Sequence, residues 1–213
     1  MLRTQPHTPW LSHTPRKVKC ADGRTRNVPR SMTLKEFGAF PWPEGQRWEL
    51  LWGGPVMSPA PQPPHQGLLV SLLVFLTEAL KGRRGTHVLP GVDILLPDAD
   101  SYVCPDISVI EVEDDRDAMR GPLEIVPLLV VENLSPSTGG NDLGAKREAY
   151  EESNIPEYWV ANPANGSVTI FIFEEGEYRE VAGDKDGYVR SPLLARRVRI
   201  RRAGLSFSIE TAA

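Results

Sequence analysis

Cysteine is almost missing from this 213-residue chain: Cys20 and Cys104 are the two present, far apart and in unlike surroundings. That excludes a disulfide framework and a cysteine-rich zinc site, and makes a reducing cytoplasm the expected compartment. Long apolar runs are missing too. The longest, Leu68 to Leu76, contains Ser71 and falls well short of the roughly 20 residues that span a bilayer, so no membrane partner is expected. After Arg3 come His, Pro, Ser and Thr residues where the apolar core of a secretory signal would stand, and Pro6, Pro9, Pro15 and Pro29 break any amphipathic transit helix. Nor is there a large charge of one sign: 24 Lys+Arg against 28 Asp+Glu leave a net charge of -4. A generic polybasic binder is thereby excluded, and any contact with an anionic polymer must be local.

What is present is a globular composition, 40% hydrophobic and 24% charged, which predicts a packed core; the length favours one domain. Residues 1–30 carry seven basic residues against one acid, Asp22, with no apolar periodicity, and read as a flexible basic N-terminal arm. Residues 31–213 read as the folded domain. Thr33-Leu34-Lys35-Glu36 has the spacing of a capping box, and Leu34, Phe37 and Phe40 follow on one helical face that ends near Pro41. Trp48 to Trp52 reads as a strand, stopped by Gly53-Gly54-Pro55 and resumed at Val56-Met57 as a hairpin. A proline-rich loop leads into a helix from His65 to about Lys81, whose Leu68, Leu69, Leu72, Leu73, Leu76 and Leu80 bury one face before Gly82 ends it.

Strands follow. Val88 to Leu96, Val103 to Val112 and Pro127 to Leu134 are rich in branched apolar residues, and Leu128-Leu129-Val130-Val131 lacks alternation, as in a central strand covered on both faces. A Ser/Thr/Gly loop, a helix from about Asn141 to Glu152 and a strand from Glu157 to Val160 make a β-α-β unit, which implies a right-handed crossover and a partly parallel sheet. Val168 to Phe173 with Tyr178 to Val181 form a peripheral hairpin after the turn at Asn162 to Gly166. The alternating segment from Val198 to Ile209 is an outer strand.

Acids stand where the apolar pattern does not ask for them. Asp93 interrupts Val92-Ile94-Leu95, Asp106 follows Pro105, and Glu132 ends Leu129-Val130-Val131. Taken singly, each is explained as a loop or strand-end cap. Together, three carboxylates at the ends of neighbouring buried strands are costly unless paired or bound to a hard cation such as Mg²⁺.

The segments Trp48-Glu49-Leu50-Leu51, His65-Gln66, Val92-Asp93-Ile94, Cys104-Pro105-Asp106, Val131-Glu132-Asn133-Leu134-Ser135-Pro136-Ser137-Thr138, Asp142-x-x-x-Lys146-x-x-x-Tyr150 and Ile155-Pro156-Glu157-Tyr158-Trp159 occur in one order. In that order and spacing the chain resembles the Uma-two restriction-endonuclease family of the PD-(D/E)XK superfamily, over about residues 31 to 205. The resemblance implies a single-domain α/β, restriction-endonuclease-like fold, a mixed sheet flanked by helices, acting as a Mg²⁺- or Mn²⁺-dependent endonuclease on DNA. It makes Asp106 and Glu132 the metal ligands, with the Asn133 carbonyl a third candidate. The superfamily lysine two residues after the second acid is Leu134 here, and Lys146 on the next helix is the migrated candidate. Glu49 matches an acid ahead of the long helix, His65 a substrate-positioning histidine, and Asp93 a supporting acid.

Such a site is chemically coherent, because a metal lowers the pKa of bound water while an ammonium orients that water or offsets phosphorane charge. The plainer reading of Lys146 is an i,i+4 ion pair with Asp142. Ser135, Ser137 and Thr138 serve a phosphate or simply cap. Arg197, Arg199 and Arg201 share one strand face, suited either to DNA backbone contacts or to blunting an edge strand. Where relatives read Asp-Gly-Glu, this chain has Trp52-Gly53-Gly54. That departure keeps open a catalytically inactive nucleic-acid-binding or assembly module on the same fold; a hydrolase of another phosphoester is a third reading. Cutting both strands of a duplex favours a homodimer, but no segment identifies its interface.

Overall fold

The computed structural model describes residues 17–58, 60–113, 121–135 and 144–213. In chain order its elements are β1 (Lys17–Lys19), β2 (Thr25–Asn27), α1 (Leu34–Ala39), β3 (Arg47–Leu51), β4 (Gly54–Ser58), α2 (Pro63–Ala79), β5 (Thr86–Pro90), β6 (Ile94–Leu96), β7 (Ser101–Val103) and β8 (Ile107–Glu111). Then come β9 (Leu129–Asn133), α3 (Ala145–Glu152), β10 (Glu157–Asn162), β11 (Ser167–Glu174), β12 (Glu177–Glu180), β13 (Val189–Ser191), β14 (Arg196–Ala203) and β15 (Ser206–Ala212). No helix among the described residues is long and apolar enough to cross a membrane.

The unalternating apolar run at 128–131 lies at the centre. β9 is buried along its whole length, inside a six-stranded sheet of order β12-β11-β10-β9-β8-β5. β9 and β10 pair in parallel across α3, as the β-α-β order predicts, and the remaining ladders are antiparallel. The pleat sends Leu129 and Val131 to one face, where Leu68, Leu72 and Leu76 of α2 meet Val198 and Ile200 of β14. Val130 faces the other way, against Ala145, Ala149 and Tyr150 of α3 and Leu51, Ile94 and Val103 of a second sheet, β4-β3-β7-β6. Covered on both sides, a strand has no polar face to alternate with, which is why β9 reads as it does.

Three expected strands are divided: the outer strand from Val198 to Ile209 is the β14–β15 hairpin of a three-stranded sheet β13-β14-β15, and two others cross between sheets. Between Leu89 and Ile94 the chain leaves the large sheet for the small one, turning at Gly91, whose φ of 57° a side chain would resist. It returns between Val103 and Ile107, where Pro105 cannot donate to a ladder. Hydrophobicity runs through both crossings, so it hides them; Asp93 and Asp106 mark them.

The basic arm is folded over its second half. Residues 17–27 pair as the β1–β2 hairpin, and Val18, Cys20 and Val28 are buried with Met32, Phe37, Trp48 and Leu50. Three-residue strands with one buried side chain leave no periodicity, and Asp22, the one acid of the arm, pairs with Arg26 at 2.5 Å. Residues 1–16 lie outside the described residues. α1 carries its capping box as expected, with the Thr33 N–H donating to Glu36 Oε2 at 2.8 Å and the Glu36 N–H to Thr33 Oγ1 at 3.2 Å. α2 starts two residues before His65, at a proline whose missing N–H costs nothing at that position.

At the start of β10 the Glu157 carboxylate is buried and accepts from Trp159 Nε1 at 2.6 Å and from the Leu193 N–H at 2.9 Å, tying the sheet to the β13–β14 connection. Burial raises its pKa above the usual 4.5, against the opposing pull of hydrogen bonds from Ser191, Leu193 and Trp159. The folded state therefore holds this proton more tightly than the unfolded chain. Its stabilising contribution is complete below the unfolded value and is lost as pH rises through the raised one. In Glu157→Gln, the urea midpoint is expected to fall less between about pH 5 and pH 8 than in the wild type; an identical fall in both contradicts this assignment.

Candidate active site

Glu49 projects from β3 into the small-sheet side of the core, its side chain 3% exposed. The hairpin that the sequence predicts gives it a partner, for Ser58 at the end of β4 donates Oγ–H to Glu49 Oε2 at 2.6 Å. Its other oxygen, Oε1, accepts from the Cys104 N–H at 2.8 Å and from Lys146 Nζ at 3.0 Å. On the next sheet, Glu132 at the end of β9 accepts on Oε1 from Lys146 Nζ at 2.9 Å and from the Tyr150 hydroxyl at 2.7 Å. One ammonium thus sits between two carboxylates on different sheets, with all three side chains no more than 7% exposed.

Asp106 arrives by a different route. The register Ile107↔Val131 places it beside the Glu132–Asn133 end of β9, and its Oδ2 accepts the Asn133 N–H at 2.7 Å. His65, in the first turn of α2, lies with Nε2 3.0 Å from the same oxygen. Asp106 and His65 are 14% and 12% exposed, so this side of the cluster faces the solvent. Two carboxylates thus share one lysine, and a third, at the neighbouring strand end, meets one histidine.

These contacts join Glu49, Lys146 and Glu132 in one group and Asp106 with His65 in another, the two set side by side by the β8–β9 register. Asp93 stands apart from them: it is exposed, and its Oδ2 accepts the Tyr102 hydroxyl at 2.7 Å in a neighbouring cavity. Burial first, and then the Asp93 carboxylate, push the Tyr102 hydroxyl far above its ordinary range, so it remains a donor. Burial likewise pushes the Cys104 thiol up to about 12, which removes it as a nucleophile at neutral pH. Lys146 makes its ion pairs to Glu49 and Glu132; Asp142, its other candidate partner, lies outside the described residues, as do Ser137 and Thr138.

The arginines alternate as expected, with Val198 and Ile200 buried between them. Each meets an acid nearby. Arg197 pairs with Asp184 at 2.7 Å, Arg199 with Glu210, and Arg201 reaches Glu210 at 3.8 Å. Arg199 also lies over the Tyr188 ring, 4.3 Å from its centroid.

Three contributors stand outside the site candidates drawn from sequence, where Tyr150 and Trp52 appear only as members of motifs. Tyr150 is one helical turn beyond Lys146 and is fully buried, and the Lys-x-x-x-Tyr spacing was its signal. Ser58 could be found only through the hairpin register. Trp52 sits at φ 52° in the β3–β4 turn, and its indole N–H donates to the Ala145 carbonyl at 3.2 Å, fixing the start of the helix that carries Lys146.

A mixed sheet with helices on its faces, and acids and a lysine gathered at its strand ends, defines a restriction-endonuclease-like α/β domain. The chain belongs to the Uma2 family, described as "Putative restriction endonuclease", whose profile matches residues 34–201. Among solved structures it is similar to a putative nuclease from Anabaena variabilis, with a TM-score of 0.62 and 21% identity over 77% of this chain and 91% of that one. That likeness bears on the fold. A protein of Synechocystis sp. described as uncharacterized is 29% identical over 117 residues, 55% of this chain and 57% of that protein.

Removing the shared ammonium leaves two buried carboxylates facing each other. Lys146→Met is therefore expected to lose roughly 3–5 kcal/mol of stability, and Tyr150→Phe only about 1 kcal/mol, because it removes one neutral donor. Urea titrations of the two variants check this; equal losses would contradict the bridging role of Lys146.

Proposed function

We propose that the chain is a Mg²⁺- or Mn²⁺-dependent endonuclease that hydrolyses phosphodiester bonds in DNA. The observation that carries this reading is the Lys146 ammonium held between Glu49 and Glu132, beside an Asp106 that faces solvent. Among the described residues no three or more His, Cys, Asp or Glu form a ready-made metal cage. Mg²⁺ does not require one: it takes one or two carboxylates and completes its shell with water and phosphate oxygens, a demand that Asp106 and Glu132 fit.

When bound, such a cation supplies a water of lowered pKa and offsets charge on the phosphoryl oxygens. The chain's own groups do the rest. Tyr150 and Lys146 orient the Glu132 carboxylate, and the Asn133 N–H and His65 orient Asp106. Ser58 and the Cys104 N–H hold Glu49, which anchors the Lys146 amine from its other side. An ammonium fixed in this way is aimed before substrate arrives, and donates a hydrogen bond to the attacking water or to a phosphoryl oxygen without reorganising. Glu49 thus acts through Lys146.

The inactive-module reading rests on Trp52-Gly53-Gly54. In the structure the tryptophan at that turn positions α3, and the acids and the lysine of the cluster remain, which favours the enzyme. The Arg197, Arg199 and Arg201 face contacts the DNA backbone by exchanging Asp184 and Glu210 for phosphates, and a homodimer sets two sites on opposite strands.

Purified protein is expected to cut supercoiled plasmid when given Mg²⁺ or Mn²⁺. Asp106→Ala and Lys146→Ala should each slow cutting by about 10² to 10³ or more, with circular dichroism confirming the fold. Cutting that survives both substitutions overturns the site; absence of any cutting by the wild type favours the binding module.

A further inference from the structure

A second concave feature opens at the N-terminal end of β3, a cavity of about 510 Å³ whose lining includes Phe37, Trp42, Arg47, Trp48, Asp93 and Tyr102. Its wall is aromatic and rigid. The Trp42 and Trp48 rings stack with centroids 4.5 Å apart and planes 22° apart, and the Trp42 indole N–H is fixed on the Phe37 carbonyl at 2.9 Å. Its polar groups are few and placed. Tyr102 holds the Asp93 carboxylate at the rim through its hydroxyl, at 2.7 Å. The Arg47 guanidinium lies against Gly91, where an added Cβ would stand 3.4 Å from it.

One group here is unexplained by the fold. Trp48 is 5% exposed, yet its indole N–H has no hydrogen-bond partner among the described residues. That donor is itself shielded, so it belongs to the packed aromatic wall, and the polar groups open to a ligand are those of Arg47 and Asp93. The cavity also adjoins the catalytic cluster. Arg47 and Trp48 immediately precede Glu49, and Cys104, which lines the cavity, donates its N–H to Glu49 at 2.8 Å.

We propose that this cavity is a nucleobase subsite, which takes an unstacked guanine from the strand whose phosphate lies at the cluster; the proposal rests on the nuclease reading above. Aromatic walls stack on any base. The choice of guanine comes from the polar groups. Its Watson–Crick edge shows two adjacent N–H donors beside a carbonyl acceptor, so the Asp93 carboxylate accepts from N1–H and N2–H while the Arg47 guanidinium donates to O6. Adenine offers one amino donor next to an acceptor nitrogen that the Asp93 carboxylate repels. A base entering the cavity must leave its stack, which is easiest in a single strand or at a distorted step.

The test uses dGMP and dAMP as probes, followed by quenching of tryptophan fluorescence in the full chain. dGMP is expected to bind at least about tenfold more tightly than dAMP, and Trp42→Leu to weaken dGMP roughly tenfold. Asp93→Asn, an exposed and nearly isosteric change, should abolish the preference for dGMP while leaving the fold intact. Equal binding of the two nucleotides, or an unchanged preference in Asp93→Asn, overturns the subsite. Plasmid cutting by the same wild-type preparation keeps the two ideas apart. Cutting without dGMP binding overturns the subsite alone, whereas guanine-selective binding without cutting supports the subsite and overturns the nuclease reading.

Discussion

The ion cluster of Lys146 with Glu49 and Glu132 ties together, inside one apolar core, the small sheet, the large sheet and the helix between them. Glu49 comes from a hairpin in the small sheet, Glu132 from the central strand of the large one, and Lys146 from the helix between two parallel strands. A charge buried this deeply is tolerated only with its partners in place, so the cluster adds a demand of exact register to the apolar packing of the small sheet and α3 on the large sheet. Around it each acceptor is met by a donor: Ser58 and the Cys104 N–H on Glu49, and Tyr150 on Glu132. Positioning of this kind is what a hydrolytic site needs before substrate binds.

The two strand crossings give the site its access. A chain that passes from one sheet to the other must break its ladders, and at those breaks side chains are released from the pleat. Pro105 frees Asp106 to reach the Asn133 N–H and His65, and Gly91 does the same beside Asp93. Asp106 therefore sits at the rim, with the Lys146 pairs behind it. The buried members organise the site, and the rim member faces whatever arrives.

Much of this was legible in the sequence, for definite reasons. The apolar run of β9, the β-α-β unit, the capping box at Thr33 and the leucine face of α2 each depend on local pattern, and each is present. Asp106, Glu132, Lys146 and Glu49 are candidates because their motifs resemble a family; the last three are in contact, and Asp106 lies at the neighbouring strand end. What local pattern cannot carry is pairing between distant segments. The β1–β2 hairpin buries too few side chains to leave a period, and the passages at Gly91 and Pro105 are as apolar as the strands they divide. Ser58 lies 9 residues from Glu49 and meets it only through the hairpin register. The arginine face was read correctly as alternation, but its acidic partners, Asp184 and Glu210, come from a loop and a neighbouring strand.

The modest net charge of -4 takes on a local meaning in this arrangement, because Glu49 and Glu132 share one lysine while Asp106, at the neighbouring strand end, is partly open to solvent. In the proposed function such a surplus attracts a cation, whose charge would reverse the sign of the site for an anionic substrate. The most direct measurement is Mn²⁺ binding followed by electron paramagnetic resonance, with no nucleic acid present. The wild type should bind Mn²⁺, and Asp106→Asn and Glu132→Gln should each weaken that binding by about tenfold or more. Mn²⁺ bound with wild-type affinity by both variants would contradict the account.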